Sequence, residues 1–226
     1  MTADSASINL THHFLIAMPS LEDEIFAKSV VYVCEHSERG AMGLVINKPS
    51  DLSMVGLFEK VELPLRRQDL MNASVLQGGP VHTERGFVLH DAMVMDVPVQ
   101  AKDANTTSDE ATEEAAQEAA ALSAVSSKEP VYASTMTIPG GLEMTTSKDV
   151  LEALSIGAGP KRVLISLGYS AWGEGQLESE LAENSWLTVG ADTAVIFDTP
   201  VEQRYERAMK LLGLEPWMLS NDVGHS

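Results

Sequence analysis

Three adjacent residues near the start of the chain are the best candidates for chemistry. Cys34, the only cysteine, is followed by Glu35 and His36, and an apolar run precedes them. Alternate side chains of a β-strand share a face, so a strand that continued to position 36 would place Cys34 and His36 on one side. A neighbouring imidazolium lowers the pKa of a thiol, which would make Cys34 a nucleophile or a redox-sensitive thiol.

Cys34 also has an interpretation that involves no chemistry. Unpaired cysteine is among the most buried residue types, and Cys34 would then pack in the core beside Val30 and Tyr32. The sequence leaves three roles open for this residue: a core side chain, a redox-sensitive thiol assisted by His36, and a catalytic nucleophile.

A second candidate site lies in the carboxyl-terminal half, where an apolar strand is followed by a predicted helix. Its members are Tyr169, Trp172, Gln176 and Glu178. Aromatic, amide and carboxylate groups at such a junction are typical of small-molecule pockets, and they are equally common in ordinary packing. The sequence therefore predicts a candidate ligand pocket here and leaves the packing interpretation open.

The remaining motifs do not complete a catalytic or cofactor site. The segment Gly168-Tyr-Ser170-Ala-Trp172 imitates the G-x-S-x-G nucleophile elbow, but tryptophan replaces the second glycine and only His225 follows as a base. The glycine-rich loops match neither a P-loop nor a dinucleotide-binding pattern, and the histidines lack the spacing of metal ligands. We therefore predict no catalytic residue, no metal and no cofactor.

The charge balance restricts the class of partner. The 226-residue chain has 33 acidic and 15 basic residues, which gives a formal net charge of −18. Phosphate backbones repel such a chain unless its basic residues cluster, and the only adjacent basic pairs are Arg66-Arg67 and Lys161-Arg162. This balance argues against direct nucleic-acid binding.

The sequence also predicts the compartment. No segment approaches the roughly 18 consecutive apolar residues of a membrane span. The first residues lack the basic start of a signal peptide, and a single cysteine permits no intramolecular disulfide. We expect a soluble cytoplasmic protein without membrane association.

Hydrophobic patterning predicts an α+β fold, a single compact domain over 1–226 with a mainly antiparallel sheet packed by several helices. Strands are expected at 14–17, 30–34, 42–46, 75–76, 87–89, 132–138, 142–145, 163–167 and 194–197. Helices are expected at 53–61, from a Ser147 cap to Gly157, from Gln176, and from a Thr199 cap to Leu212. The acidic, alanine-rich stretch at about 97–130 has no apolar stripe to dock it, which predicts an exposed insertion.

Many dispersed segments resemble the YqgE/AlgH family of bacterial proteins. They include His13-Phe-Leu-Ile-Ala-Met-Pro19, Gly40-Ala-Met-Gly-Leu-Val-Ile-Asn-Lys-Pro49, Gly78-Gly-Pro-Val81, Trp172-Gly-Glu-Gly-Gln-Leu-Glu178 and Asn184-Ser-Trp-Leu187. The matches keep their order and cover nearly the whole chain outside the first residues and the insertion. The resemblance implies a compact α+β fold in the cytoplasm with no established enzymatic reaction. Some members are described as transcriptional regulators, and members commonly carry alanine where this chain has Ser170.

These observations favour a non-enzymatic regulatory or adaptor domain that acts through a protein partner or a small ligand. Its acidity implies that any control of transcription is indirect. Two alternatives stay open: a thiol-based redox sensor that uses Cys34, and an enzyme with a pocket near Tyr169 and Trp172.

Overall fold

A computed structural model describes residues 9–93 and 130–214. Its strands are β1 His13–Ala17, β2 Val30–Ser37, β3 Gly40–Val45, β4 Pro49–Ser53, β5 Ser74–Gln77, β6 Val81–Asp91, β7 Thr135–Ile138, β8 Leu142–Thr145, β9 Val163–Trp172 and β10 Trp186–Gly190. Its helices are α1 Met54–Lys60, α2 Asp149–Ser155, α3 Gln176–Ala182, α4 Thr193–Phe197 and α5 Arg204–Leu211, with short 3-10 turns at Gln68–Leu70 and Val201–Gln203.

The strands form one ten-stranded sheet. The order along it is β10-β1-β2-β3-β9-β6-β8-β7, and β4 pairs with β5, which joins the sheet through β9. Only the β5–β9 contact among the described pairs is parallel. The predicted α+β fold with a mainly antiparallel sheet and several helices is confirmed.

The chain divides into two units. Met1–Ala92 together with Tyr132–Ser226 forms the first, which holds every element named above, and Met93–Val131 forms the second. Apart from Pro130, the predicted insertion at about 97–130 lies outside the described residues. The insertion and the single-domain boundary therefore stay predictions.

Both faces of the central strands are buried, which explains why their sequences are almost continuously apolar. The first core cluster lies on one face and is covered by α4 and α5; its members include Phe14, Ile16, Tyr32, Cys34, Leu44, Val195, Ile196, Ala208 and Met209. The second core cluster lies on the other face and includes Leu15, Val31, Val33, Ala41, Val45, Trp172, Leu177 and Trp186. Each large apolar side chain buried in this way contributes about 1.5–3 kcal/mol.

The apolar run 194–197 is part of helix α4, and its prediction as a strand is wrong. Asp192 caps this helix, because its carboxylate accepts the Ala194 N–H at 2.9 Å. The prediction also lacked two strands, β4 and β10, and β10 pairs antiparallel with β1. A four-residue apolar run has no period that separates a strand from a helix, so only the cap and the packing decide between them.

Two predicted helix caps have other partners. The Thr199 hydroxyl donates to the Ala194 carbonyl at 3.0 Å, and α5 begins only at Arg204, after the 3-10 turn. The Ser147 hydroxyl donates to the Ala133 carbonyl, and the N-cap of α2 is the next residue, without a side-chain cap. Short polar side chains bond to whichever backbone group lies closest, which tertiary structure decides.

Strand β9 continues beyond Leu167, where the sequence predicted its end. Gly168 has a φ of 71°, and a Cβ at this position would lie 2.5 Å from the carbonyl oxygen of Gly79. The neighbouring Gly78 donates its N–H to the Leu167 carbonyl at 2.8 Å. The glycine-rich loop therefore runs directly against the β9 backbone, an approach that side chains would prevent.

Candidate functional site

Cys34 is a core side chain. It is 2% exposed, it belongs to the first core cluster with Val30 and Tyr32, and its thiol donates to the Tyr32 carbonyl at 3.7 Å. Burial raises the pKa of the Cys34 thiol far above its usual range, and the negative charge of Glu35 raises this pKa further. Because the thiolate is the reactive form, this environment suppresses the nucleophilic and redox chemistry considered for Cys34.

A β-bulge separates Cys34 from His36. The register between β2 and β3 skips Cys34, so this residue has no partner across the ladder. An extra residue reverses the alternation of side chains. His36 consequently pairs with Ala41 on the face of the second core cluster, whereas Cys34 packs in the first. The expectation that the thiol and the imidazole share a face is wrong.

His36 connects three segments of the chain. Its Nδ1 accepts the Leu10 N–H at 3.0 Å, its Nε2 lies 2.9 Å from Oε1 of Glu178, and its own N–H donates to the Thr11 hydroxyl at 2.9 Å. Because Nδ1 is an acceptor, the proton of the neutral ring lies on Nε2, which donates to the carboxylate. His36 and Glu178 therefore hold α3 against the amino-terminal segment.

Glu180, which the sequence did not indicate, accepts hydrogen bonds from the aromatic part of the predicted pocket. Its Oε2 accepts the indole N–H of Trp172 at 2.8 Å and that of Trp186 at 2.7 Å. Its Oε1 accepts the amide of Gln176 at 2.9 Å. These are charge-assisted bonds, so they orient all three side chains strongly. The Trp172 bond therefore joins α3 to β9, whereas Gln176 is exposed and bonds within α3.

Tyr169 lies on the opposite face of β9 from Trp172, because their separation of three positions reverses the side-chain direction in a strand. It packs against the first core cluster. Its ring stacks on His82 with centroids 6.0 Å apart and tilts against Phe87 at 5.3 Å. These side chains border an open groove of about 390 Å³. The four residues of the predicted pocket thus do not line one pocket.

A cavity of about 590 Å³ lies at another position, and we call it the Arg204 cavity. Its walls come from β9, the turn before β4, the segment that leads into β5, and the α4–α5 junction, with the lining residues Asn47, Pro49, Met54, Asp69, Leu70, Asn72, Ala73, Ser74, Lys161, Arg162, Val163, Leu164, Ile165, Phe197, Val201, Glu202 and Arg204. Ligand pockets typically occupy about 300–1,000 Å³, so the volume suits a small molecule.

Arg204 is the most unusual residue of this cavity. It is 7% exposed, its Nε donates to the Thr199 carbonyl at 3.0 Å, and its Nη1 donates to the Ile46 carbonyl. Within the described ranges, no carboxylate lies within 4.0 Å of its guanidinium. Burial lowers the pKa of Arg204 to about 10, against the opposing effect of Glu202. The side chain therefore remains cationic at neutral pH, although burying an unpaired charge is costly.

The two basic pairs of the sequence meet beside this cavity. Arg67 donates to the carbonyls of Pro160 and Lys161, at 2.9 and 2.8 Å. It also forms an ion pair with Asp69, and this hydrogen-bonded pair lowers the pKa of the Asp69 carboxyl. Hydrogen bonds across 94 residues of sequence thus bring Arg66-Arg67 to Lys161-Arg162.

The two members of the second basic pair differ in their partners. Arg162 has an ion pair with Asp91, at 2.6 Å between Nη2 and Oδ1, and a longer one with Asp198 at 3.8 Å. Its guanidinium also lies 5.0 Å from the ring centroid of Phe197. Lys161, by contrast, has no side-chain partner in the part of the chain that the structure describes. The cavity therefore contains two cations, Lys161 and Arg204, that have no carboxylate partner among the described residues.

The sequence indicated only part of this site. Arg204 falls inside a predicted helix, where an arginine usually lies on the solvated face, and nothing local distinguishes it. The sequence feature that could have indicated the site is the presence of two basic pairs, Arg66-Arg67 and Lys161-Arg162, in a strongly acidic chain. Their contact, however, depends on tertiary structure.

In residues 9–93 and 130–214, no group of three or more His, Cys, Asp and Glu side chains could hold a metal ion. Among the helices of the same ranges, none has the length and apolar character needed to cross a membrane.

Comparison with known sequences assigns the chain to a family. A sequence model of the AlgH-like family matches residues 14–217, and the chain belongs to this family. Relatives called UPF0301 protein are similar over the full length of both chains: one from Paracidovorax citrulli is 69% identical and one from Polaromonas sp. is 66% identical.

Solved structures agree with this assignment. The solution structure of the AlgH protein from Pseudomonas aeruginosa is 39% identical, covers both chains completely and superposes with a TM-score of 0.65. A crystal structure from Corynebacterium diphtheriae is 18% identical over 94% of this chain and 92% of its own, with a TM-score of 0.62, which shows the shared fold alone. The resemblance to the YqgE/AlgH family is therefore confirmed at the level of the AlgH-like family.

Proposed function

We propose that this chain is a non-enzymatic regulatory domain that responds to a small molecule bound in the Arg204 cavity. The observation that supports the proposal is a cavity of about 590 Å³ that contains a buried arginine with no carboxylate partner among residues 9–93 and 130–214. Proteins rarely leave a buried charge unpaired, and a ligand would supply the missing partner.

The residues considered for catalysis support a non-enzymatic role. Cys34 is buried with a raised pKa, and His36 is held by Leu10 and Glu178. Trp172 donates its indole N–H to Glu180, and Tyr169 lies on the other face of β9. The redox-sensor and enzyme alternatives stay predictions, and no contact of these residues favours either of them.

The acidity of the chain implies that any regulation of transcription is indirect. A chain with a net charge of −18 is repelled by DNA, so any control of transcription would pass through a protein partner that recognises the ligand-bound form. We expect this to take place in the cytoplasm, where a lone cysteine without a disulfide is ordinary.

A ligand screen with a blocked cavity tests the proposal. The thermal unfolding midpoint of the full chain is measured with a panel of cytoplasmic metabolites, because a ligand that binds only the folded state raises it. The hits are repeated with Ser74→Trp, which introduces an indole at an exposed position of the cavity lining. Ser37→Trp is the matched control, since Ser37 is exposed on β2 and does not line this cavity.

We expect metabolites that stabilise the wild type and Ser37→Trp and no longer stabilise Ser74→Trp. The proposal is wrong if no metabolite stabilises the wild type, if the hits stabilise Ser74→Trp equally, or if the protein converts a hit into a product.

A further inference from the structure

The ligand class of the Arg204 cavity can be inferred from its cations. A guanidinium carries five N–H donors in a planar fork that matches the oxygens of carboxylates and phosphates. In Arg204, Nε and Nη1 donate to backbone carbonyls, whereas Nη2 has no hydrogen-bond partner among the described residues. This Nη2 atom belongs to Arg204, which lines the cavity.

Lys161 supplies a second charge. It is exposed, lines the same cavity and has no side-chain partner in the described ranges. An ammonium on a flexible stem can approach an anion without a fixed geometry, which complements the rigid fork of Arg204. We infer that the cavity binds a small molecule that carries a phosphate or carboxylate group, held by Arg204 and Lys161; this inference rests on the proposed ligand function of the cavity.

The carboxylates that face the cavity oppose this binding to different degrees. Asp69 forms an ion pair with Arg67, so its charge is already compensated. Glu202 has no ion pair among the described residues, and its charge acts on Arg204. Removing the Glu202 charge should therefore strengthen anion binding, whereas removing the Lys161 charge should weaken it.

The rest of the lining indicates the body of the ligand. Leu70, Phe197 and Val201 present apolar surface to the cavity. A bare inorganic anion would leave that surface in contact with water, so an oxyanion attached to an apolar or aromatic group fits better.

The test uses inorganic phosphate and succinate as separate probes of the full chain. Each is titrated into 15N-labelled protein at constant ionic strength, with chloride as the balancing ion, and backbone amide shifts give the site and the dissociation constant. We expect shifts that cluster at the cavity lining, and a comparison of the two probes separates phosphate from carboxylate selectivity.

Matched charge variants test whether the affinity for the anion follows the charge of the cavity. Lys161→Gln should weaken binding of the preferred probe about fivefold, the effect of one partly exposed charge. Glu202→Gln should tighten binding about threefold for the same reason. Lys210→Gln, an equal charge change at an exposed position of α5 outside the lining, should leave binding unchanged. Arg204→Gln should abolish the shifts, and Arg204→Lys should retain them in part.

Several results would overturn the inference, even where an Arg204 variant fails to fold. One is an equal loss for Lys161→Gln and Lys210→Gln, which would indicate general screening. Another is the appearance of cavity shifts with Mg²⁺ and not with either anion. Neutral metabolites could bind and be blocked by Ser74→Trp, while neither anion shifts the backbone amides of the cavity lining. In that case the anion inference fails and the proposed function stands. If neither metabolites nor anions bind, both fail.

Discussion

The indole nitrogens of Trp172 and Trp186 donate to the same carboxylate oxygen, Oε2 of Glu180, at 2.8 and 2.7 Å. The two rings lie edge to face with centroids 6.1 Å apart. Trp172 is on β9 and Trp186 on β10, two strands with three others between them in the sheet order, and a single carboxylate of α3 joins both side chains.

Removal of this charge should destabilise the fold. We expect Glu180→Gln to lower the free energy of unfolding by about 2 kcal/mol, because charge-assisted bonds become neutral ones and the new amide meets the Gln176 amide. Urea denaturation followed by tryptophan fluorescence measures this directly. Glu183→Gln, exposed at the end of the same helix, is the control and should change stability by less than about 0.5 kcal/mol. Equal effects of the two substitutions would show that the carboxylate does not hold the tryptophans.

His36 and Glu178 should contribute unequally to the free energy of unfolding. His36→Leu leaves the Leu10 N–H without its acceptor in a buried position and should cost about 2 kcal/mol. Glu178→Gln changes a carboxylate that is 54% exposed and should cost less than about 1 kcal/mol. Denaturation of both variants at pH 8 compares them. A larger loss for Glu178→Gln would contradict the assigned role of Nδ1.

Cys34 should be inert in the folded protein. Burial and the raised pKa predict that a thiol reagent modifies it only after denaturation, and that mild peroxide leaves it unchanged. Mass spectrometry before and after addition of urea measures both. Rapid modification of the native protein would instead support the redox-sensor alternative.

The same pKa shift predicts a loss of stability at alkaline pH. The unfolded thiol loses its proton near pH 9, whereas the folded thiol keeps it, so the unfolded state binds fewer protons above that pH. Stability from this group is complete below pH 9 and falls as the pH rises further, by up to about 1.4 kcal/mol per pH unit. Unfolding free energies at pH 8 and 10.5 should therefore fall less in Cys34→Ala than in the wild type. Identical pH dependence in the two proteins would show that the thiol is not shielded.

Two glycines form a matched test of backbone crowding. Gly168 and Gly175 have φ values of 71° and 70°, but a Cβ would lie 2.5 Å from the Gly79 carbonyl oxygen at the first position and would have no atom within 4 Å at the second. Gly175→Ala should cost about 1 kcal/mol from φ alone. Gly168→Ala should cost about 3 kcal/mol, because β9 or the glycine-rich loop must also move. Thermal and urea unfolding of both variants measure the difference, and equal losses would mean that the loop moves freely.

Local patterns predicted a large part of the fold. The hairpin of β2 and β3 and the hairpin of β7 and β8 follow from apolar runs separated by turn residues, and α1 follows from apolar residues at helical spacing. The predictions failed where local signals were ambiguous, as in the run 194–197, or where a side chain had a nearer tertiary partner, as for Thr199. They also failed for His36, because the sequence does not reveal a bulge that changes the face of a strand.

The α+β class, the acidic character, the single cysteine and the family resemblance could all be read from the chain alone, because they depend on composition and on neighbours in sequence. Three relationships became visible in the folded chain: Cys34 and His36 face different cores, Glu180 joins two tryptophans, and Arg204 lies buried in a cavity beside both basic pairs. These relationships arise from packing between segments that are far apart in sequence. The contact between Arg67 and Lys161 spans 94 positions, and no local preference encodes an encounter between segments so far apart.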